Sequence, residues 1–366
     1  MSLRVLVGGM VAGQPHQGGA TWAALQYVLG LRRLGHDVVF VEPVGESFDP
    51  SYASDVVDAF GLFGSVAFTR ARETLLGIPF DRLCERDYDV VVNLSGLVQD
   101  DELIGDAPVR IYVDLDPAFT QLWHDDGVDV GLAGHTHFAT VGLALGSPSC
   151  HLPLCGVEWM TTLPPVILSR WTPADGRGSA WTTVGNWRSY GSIEREGVRF
   201  GQRAHSMRDL LDVPTLAGCG PEIALAIDPA EDGDLSALTR AGWKLVDPVR
   251  SAGTPARYRS FVRSSRAELG IAKEGYVVSR CGWFSDRSAC YLASGRPVVA
   301  QDTGFGSVLA ASSGLLTFRG AGEAADAMRD VELDYARHRA AARSLAVEAF
   351  DSRIVLERLL SLAGAA

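Results

Sequence analysis

Short apolar strands alternate with amphipathic helices from the start of the chain. Residues 3–8 predict the first strand, a glycine-rich loop follows at 9–19, and apolar residues recur at helical spacing over 21–34. A second apolar strand at 38–41 closes with Glu42. Because a helix that connects two strands of one sheet usually makes them parallel, this pattern predicts a parallel sheet covered by helices.

The same alternation begins again in the second half of the chain, which predicts a second α/β unit. We predict strands and helices there in this order: strand 180–184, helix 199–211, strand 215–217, strand 243–246 and helix 255–269. The chain between the halves, 153–178, is rich in proline, glycine and polar residues and predicts a hinge. With 366 residues, the chain is long enough for two domains, which we place at 1–170 and 178–345.

Composition and charge exclude several kinds of partner. The chain is 47% hydrophobic and 21% charged, as expected of a soluble globular protein, and its net charge of -11 disfavours nucleic acid or an anionic membrane as the main partner. No apolar run approaches the roughly 18 residues that span a bilayer. Arg4 interrupts the short apolar segment at the start, which predicts a strand rather than a signal peptide. We therefore expect a cytoplasmic protein.

Cysteines and histidines give a weak indication of a metal site. Cys150 and Cys155 flank His151, but no second pair of ligands lies near them in the sequence. His135 and His137 follow a strand predicted within 129–141, without a third ligand at helical spacing. We expect free thiols and no metal, and we favour contact with a bound ligand for His135 and His137, with an ordinary loop role also open.

Residues 276–306 predict a strand, a turn, a helix and a second strand. A β-branched pair at 277–278 indicates the first strand, Gly282 lies in the turn, and the second strand is at 297–300. The helix between them ends at Gly295. A strand that leads through a turn into a helix is a common setting for a ligand at the helix N-terminus.

The start of this helix is a candidate anion site. Ser285 or Asp286 is the predicted N-cap, and Arg280 and Arg287 flank it. Free backbone N–H groups and the positive end of the helix dipole favour a phosphate or diphosphate there. An ordinary capped helix with solvated arginines remains the alternative.

The sequence Arg-Cys-Gly-Trp at 280–283, followed by Gly-Arg-Pro-Val-Val at 295–299, resembles the donor-binding region of GT-B glycosyltransferases. The first motif is similar to the His-Cys-Gly-Trp opening of the signature box in plant small-molecule glucosyltransferases, with Arg280 in place of the histidine. The acidic residue that usually binds the nucleotide ribose in that family is replaced here by Ser288 or Cys290.

The resemblance implies an α/β protein of the GT-B fold, with two facing Rossmann-like parallel-sheet domains and a C-terminal helix, at 346–366, that packs back on the first domain. It also implies a nucleotide-sugar site, in which a glycine loop and two turns approach the donor. The implied donor-binding residues are Gly18, Gly19, Gly185, Asn186, Arg280, Trp283, Phe284, Ser285, Asp286, Arg287, Asp302, Thr303 and Gly304.

Catalytic candidates lie in the first half of the chain. Many inverting GT-B enzymes carry a catalytic histidine in the first loop, and His16 matches that place here. Predicted strands at 88–94 and 109–114 end in polar residues at the sheet edge where ligands collect, so Asp114 could orient the histidine or bind the acceptor. Other pocket candidates at these strand ends are Asn93, Ser95 and Asp116. For Asp116, which precedes Pro117, a turn and helix cap is the alternative.

Together these features predict a glycosyltransferase that moves a sugar from a UDP- or dTDP-sugar to a hydroxyl of a small-molecule acceptor. We expect inversion, no metal and no cofactor beyond the nucleotide-sugar, and a monomer or homodimer. The chain contains two lysines, Lys244 and Lys273, and many arginines, which indicates a GC-rich bacterial gene. Together with a transferase of the small-molecule type, such a gene favours a role in natural-product biosynthesis. The alternatives are a nucleotide-sugar epimerase on the same fold and a non-catalytic sugar-nucleotide-binding subunit.

Overall fold

The first half of the chain forms one large sheet in the computed structural model, which describes residues 2–173 and 175–365. Its strands are β1 Arg4–Gly8, β2 Asp37–Pro43, β3 Val66–Arg70, β4 Glu73–Gly77, β5 Val90–Leu94, β6 Val109–Asp114, β7 His137–Thr140 and β8 Trp159–Thr161. They pair in the order β4-β3-β2-β1-β5-β6-β7-β8, with β3 and β4 antiparallel and the other neighbours parallel. The central strands are apolar and buried, as helices on both faces require.

The helices of this half are α1 Gly18–Arg33, α2 Pro50–Phe60, α3 Phe80–Cys84, α4 Asp101–Ile104 and α5 Phe119–Asp125. Local chemistry fixes the ends of α2. The Asp49 carboxylate accepts hydrogen bonds from the backbone N–H groups of Ser51 and Tyr52, and Pro50 occupies the first turn, where no N–H partner is needed. Gly61 ends the helix in the left-handed conformation, with a φ of 62°.

A second sheet follows, in which every neighbouring pair is parallel. Its strands are β9 Trp181–Asn186, β12 Glu222–Ala226, β13 Lys244–Val246, β14 Ala267–Gly270, β15 Val298–Gln301 and β16 Leu315–Phe318, in the order β13-β12-β9-β14-β15-β16. A small antiparallel hairpin is formed by β10 Ile193–Arg195 and β11 Val198–Phe200. The predicted fold class, two parallel-sheet α/β units, is confirmed.

The helices of the second half are α6 Arg203–Asp209, α7 Val213–Ala217, α8 Asp232–Arg240, α9 Pro248–Ala252, α10 Pro255–Ser264, α11 Glu274–Ser279, α12 Asp286–Ala293, α13 Ala321–Leu333, α14 Tyr335–Leu345 and α15 Ser352–Leu362. A 3₁₀ turn at Phe305–Ser307 and a π-helical turn at Ala346–Phe350 complete the set. Within the described residues, no helix is both long enough and apolar enough to cross a bilayer.

The last helix returns to the first domain, as the resemblance implies. Val166 donates its backbone N–H to Phe350 O at 2.7 Å, and Ser352 donates its own to Val166 O at 2.9 Å. A Cβ at Gly30 in α1 would lie 2.5 Å from Leu356 Cδ1, so the two helices are in close contact. Glycine at position 30 therefore allows α15 to pack against α1.

Several predicted elements are wrong in type or extent. Residues 276–278, predicted as a strand, lie in α11, and residues 215–217 lie in α7. Pro214 in the first turn of α7 and Gly218 with a φ of 69° at its end favour a helix there, against the β propensity of the local residues. The strand before the predicted anion site is instead β14. The helix predicted at 255–269 therefore ends earlier, because its last residues belong to β14.

Two further boundaries differ. The helix predicted at 199–211 is shorter in the structure: its first two residues belong to β11, and the helix itself, α6, spans Arg203–Asp209. His137 begins β7 instead of following a strand, and β7 is confined to the last part of the predicted 129–141 segment.

Candidate functional site

The turn of the predicted donor motif is an interdomain contact. Leu143 and Ala144 of the first domain donate their backbone N–H groups to Gly282 O at 3.2 Å and Cys281 O at 3.0 Å. The Gly282 N–H in turn donates to Thr303 O at 2.8 Å. The backbone of this turn therefore joins the two domains, and in this structure its polar groups have protein partners.

The helix that follows begins as predicted, with Ser285 as its N-cap accepting from the Arg287 N–H at 3.2 Å. The Arg287 side chain is buried, and its Nε donates to Glu268 Oε1 at 2.5 Å. Burial lowers the pKa of Arg287, but the charge of Glu268 and this hydrogen bond outweigh burial and raise it overall. A phosphate role for Arg287 stays a prediction, since its guanidinium is engaged inside the second domain.

Asp286 and Phe284 line a narrow cavity between α12 and α1, together with Tyr27 and Gln26. Its volume of about 40 Å³ suits a water molecule but not a sugar. The Tyr27 hydroxyl is buried there and has no hydrogen-bond partner among the described residues. Burial raises the pKa of Asp286, and the charge of Arg287 only partly opposes this rise.

Arg203 is a buried cation at the carboxyl ends of β9 and β14, and the sequence pattern did not single it out. Its Nε donates to Ile271 O at 2.9 Å and its Nη1 to Asn186 O at 3.2 Å. Within residues 2–173 and 175–365, no carboxylate forms an ion pair with it. Burial, followed by the like charge of Arg287, lowers the pKa of Arg203 to about 9. A buried charge without a counter-ion is costly, so this position favours an anionic ligand.

Gly185 and Asn186, two of the predicted donor residues, hold this arginine in place. A Cβ at position 185 would lie 1.7 Å from Arg203 Nη1, so a glycine is needed for the guanidinium to lie against the end of β9. The structure thus brings these two predicted residues together with Arg203 at the edge where ligands of open parallel sheets collect.

Lys273 lies next to this edge, after β14, inside a cage of aromatic rings. Its Nζ lies 4.3 Å from the Tyr190 ring centroid, 5.0 Å from that of Phe119 and 5.2 Å from that of Tyr276. It donates to Asp116 of the first domain at 2.9 and 3.1 Å, and the Tyr190 and Tyr276 hydroxyls also donate to Asp116. Burial lowers the pKa of Lys273, and Asp116 opposes this shift. Asp116 is thus an interdomain anchor.

We expect Asp116→Asn to lower the free energy of unfolding by about 2 kcal/mol, between the values for surface and buried pairs, because it leaves Lys273 without its counter-charge. Urea denaturation measures this loss. The control is Asp234→Asn, which removes an ion pair of the partly exposed Arg208 and should cost under about 1 kcal/mol. Equal losses for the two variants would contradict a stabilising interdomain pair.

The predicted pair of His16 and Asp114 is not formed. His16 is exposed, and the nearest carboxylate to its Nε2 is Asp49, 3.9 Å away. Asp114 is fully buried and accepts from Thr120, Gln121 and Thr140 side chains and from the Asp116 N–H. Burial raises the pKa of Asp114, although these hydrogen bonds oppose the shift. In this structure Asp114 organises the end of β6 and does not orient His16.

Gly18 and Gly19 lie at the start of α1, against the second domain. A Cβ at Gly18 would lie 2.4 Å from Thr254 O, and one at Gly19 would lie 3.0 Å from the Tyr258 ring. The Trp22 indole N–H donates to Pro255 O at 2.8 Å. The predicted glycine loop therefore faces the second domain. Its contacts there are with the start of α10, and none of them is with Arg203.

The turn at 302–304, which the resemblance implies to be near the donor, lies beside Arg280. Asp302 Oδ2 is 3.5 Å from Arg280 Nη1 and 3.1 Å from Arg319 Nε, and the Gly304 N–H donates to the same carboxylate at 2.9 Å. The Thr303 hydroxyl donates to Trp283 O at 2.6 Å. Burial alone would raise the pKa of Asp302, but these partners lower it overall. Arg280 and this turn form one partly exposed group.

The remaining polar candidates serve local contacts. Asn93 binds Val98 O at 2.7 Å and lies 3.1 Å from His135 Nε2, whereas His137 contacts Thr136. All six cysteines are free. Among the residues that the structure describes, no group of three histidine, cysteine or carboxylate side chains is placed to hold a metal.

Comparison with known proteins gives the fold. No protein-family model and no curated protein matches the sequence. Among solved structures, an alpha-glucosyltransferase in complex with UDP-glucose and DNA containing an abasic site superposes with a TM-score of 0.61 at 11% identity, over 100% of both chains. HepE from Anabaena, in complex with UDP and glucose, gives 0.61 at 13% identity, again over 100% of both chains.

A third similar structure is AviGT4, a glycosyltransferase involved in avilamycin A biosynthesis. It superposes with a TM-score of 0.56 at 14% identity, covering 99% of this chain and 97% of that one. Similarity at such low identity establishes the fold and not the reaction. The predicted resemblance is confirmed at that level: the chain has the GT-B fold of these glycosyltransferases.

Proposed function

We propose that the protein is a glycosyltransferase that moves a sugar from a nucleoside diphosphate sugar to a hydroxyl of a small-molecule acceptor. The observation that carries this proposal is Arg203, a buried arginine without a carboxylate partner among the described residues, at the carboxyl ends of β9 and β14. The diphosphate of the donor would supply the missing negative charge. Lys273 lies after the same β14 strand, but its charge is already paired with Asp116.

The unpaired charge of Arg203 suits the chemistry of the leaving group. When the acceptor oxygen displaces the nucleotide at the anomeric carbon, the bond from that carbon to the phosphate oxygen breaks and negative charge grows on the diphosphate. Preorganised cations at that position stabilise the charge and so lower the barrier. His16 would accept the proton of the acceptor hydroxyl, and direct displacement would invert the anomeric centre.

A UDP- or dTDP-sugar is the proposed donor, in keeping with the UDP or UDP-glucose bound by two of the similar proteins. One of these also binds DNA. Here the net charge of -11 makes a polyanionic acceptor unfavourable, so we propose a small molecule. A role in natural-product biosynthesis in a bacterium and a cytoplasmic location belong to the same proposal.

Titration calorimetry of the protein with UDP, dTDP, GDP and ADP tests the donor site. We expect one of these nucleotides to bind, and Arg203→Gln to weaken that binding about tenfold or more, as for loss of a charged hydrogen bond. The control is Arg208→Gln on the same helix, whose partners are Asp234 and Glu231 on the surface. No binding by the wild-type protein, or equal affinity in both variants, would contradict the proposal.

Nucleotide release separates the transferase from its alternatives. With a donor sugar, a transferase releases the nucleoside diphosphate mainly when an acceptor is present. An epimerase changes the sugar and needs no acceptor, and a non-catalytic subunit binds the nucleotide without turnover. Chromatography of the donor, with and without a panel of hydroxylated acceptors, distinguishes the three outcomes.

A further inference from the structure

A cavity of about 330 Å³ lies between α1 and α2 of the first domain and α10 of the second. This volume is within the range of small-molecule sites. Most of its wall is apolar and is formed by Trp22, Tyr52, Val56, Ala59, Phe60, Pro255 and Ala256. Arg203 is not among its lining residues, and Trp22 is the one residue that it shares with the narrow cavity beside Asp286.

Two arginines, Arg170 and Arg259, line the same cavity. The Arg170 guanidinium lies 5.8 Å from the centroid of the Phe60 ring. In the part of the chain that the structure describes, neither arginine forms an ion pair with a carboxylate. The nearby Arg263 has a buried Nε without a hydrogen-bond partner among the same residues. Although the protein as a whole is acidic, this end of the cavity therefore carries an excess of positive charge.

The positive charges of Arg170, Arg259 and Arg263 lie close enough to repel one another at the arginine end of the cavity. Burial, followed by the charges of Arg263 and Arg170, lowers the pKa of Arg259. Asp55 also lines the cavity, but it forms no ion pair with Arg170 or Arg259. An anionic ligand would relieve the repulsion between the arginines, whereas the apolar wall would bind a ring system.

We propose that this cavity binds the acceptor, and that the acceptor is an amphipathic anion: a ring system that carries a carboxylate or a phosphate. This inference rests on the proposed transferase function. At the other end of the cavity the Tyr52 ring contacts the His16 ring, with centroids 5.4 Å apart. The distance from Tyr52 to Phe60 along α2 is about 12 Å, at a rise of 1.5 Å per residue. We expect about this distance in the acceptor between its reacting hydroxyl and its anionic group.

The cavity is tested with two fluorescent probes, 8-anilinonaphthalene-1-sulfonate, which is an aromatic anion, and uncharged N-phenyl-1-naphthylamine. We expect the double variant Arg170→Gln/Arg259→Gln to weaken binding of the sulfonate about tenfold or more and to leave the neutral probe unchanged. Arg257→Gln, on the same helix but outside the cavity wall, is the control. Equal affinity of the double variant and the control for the sulfonate would overturn the proposal.

Ala59→Trp gives a second, independent variant, because it fills the cavity from an exposed position of α2. Both probes should then lose affinity; a probe that still binds lies elsewhere, which would also overturn the proposal. The melting temperature of the double variant serves as a check on folding. It should not fall, since the substitution removes repulsion between like charges.

Donor binding and acceptor choice are then measured on the same variants. The affinity for UDP should be unchanged in the double variant. The wild-type protein should transfer sugar faster to hydroxylated aromatic acids than to their methyl esters, and the double variant should lose this preference. If UDP binds and turnover occurs without that preference, the acceptor inference fails and the transferase function stands. If no nucleotide binds but the probes behave as expected, the proposed function fails and the anion cavity remains.

Discussion

Gly282→Ala is expected to lower the free energy of unfolding by about 4 kcal/mol, the sum of backbone strain and lost hydrogen bonds. Gly282 has a φ of 80°, which a residue with a side chain adopts at a cost. A Cβ there would also lie 2.3 Å from the backbone nitrogen of Ala144 in the first domain. Neither atom can move without breaking the hydrogen bonds that Leu143 and Ala144 donate to this turn.

Urea denaturation measures the loss, with Gly306→Ala as the control. Gly306 lies in the same region, its φ is not left-handed, and a Cβ there would have open space. The control should change stability by less than about 1 kcal/mol. If Gly282→Ala were as stable as Gly306→Ala, the contact between the turn and the first domain would not form in solution.

His16→Ala is expected to lower kcat about a hundredfold or more, the usual contribution of a general base, with little change in nucleotide affinity. His16 has the left-handed backbone conformation, with a φ of 64°, and its exposed ring lies beside the Tyr52 ring, next to the proposed acceptor cavity. Steady-state kinetics with the best acceptor of the panel, together with nucleotide titration, measure both quantities. The control is His151→Ala, which changes an exposed histidine outside the proposed site.

Survival of turnover in His16→Ala would transfer the role of base to His135, His137 or Asp114. Asp114 is the weakest of these, because its oxygens already accept four hydrogen bonds inside the first domain. A drop in nucleotide affinity equal to the drop in kcat would instead indicate that His16 contacts the donor.

The repeated strand and helix pattern predicted the fold class, because periodicity depends on which face of each element is buried. Individual elements in the second half were predicted less well. Val277 and Val278 favour a strand locally, yet Tyr276 beside them binds Asp116 across the domain interface, and α11 places it there. Tertiary contacts of this kind override local propensity.

The site was predicted in part. The Ser285 cap was predicted from a local pattern, since a cap depends on neighbouring residues. Gly185 and Asn186 were implied as donor residues by the family resemblance, and that role stays a prediction. Arg203 and Lys273 were missed because their importance depends on partners far along the chain. Lys273 and Asp116 are 157 positions apart. One signal was available: Lys273 is one of two lysines in the chain and directly follows an apolar segment.

The contact between Val166 and the segment 350–352 also limits how the two domains can move. The chain passes between the domains at both places, and backbone hydrogen bonds tie the two crossings together. Sliding or twisting of one domain against the other would pull these bonds apart, whereas rotation about a line through them would not. The pair of crossings therefore acts as a hinge, and opening about it would also break the Lys273–Asp116 ion pair and the hydrogen bonds that Leu143 and Ala144 donate to residues 281 and 282.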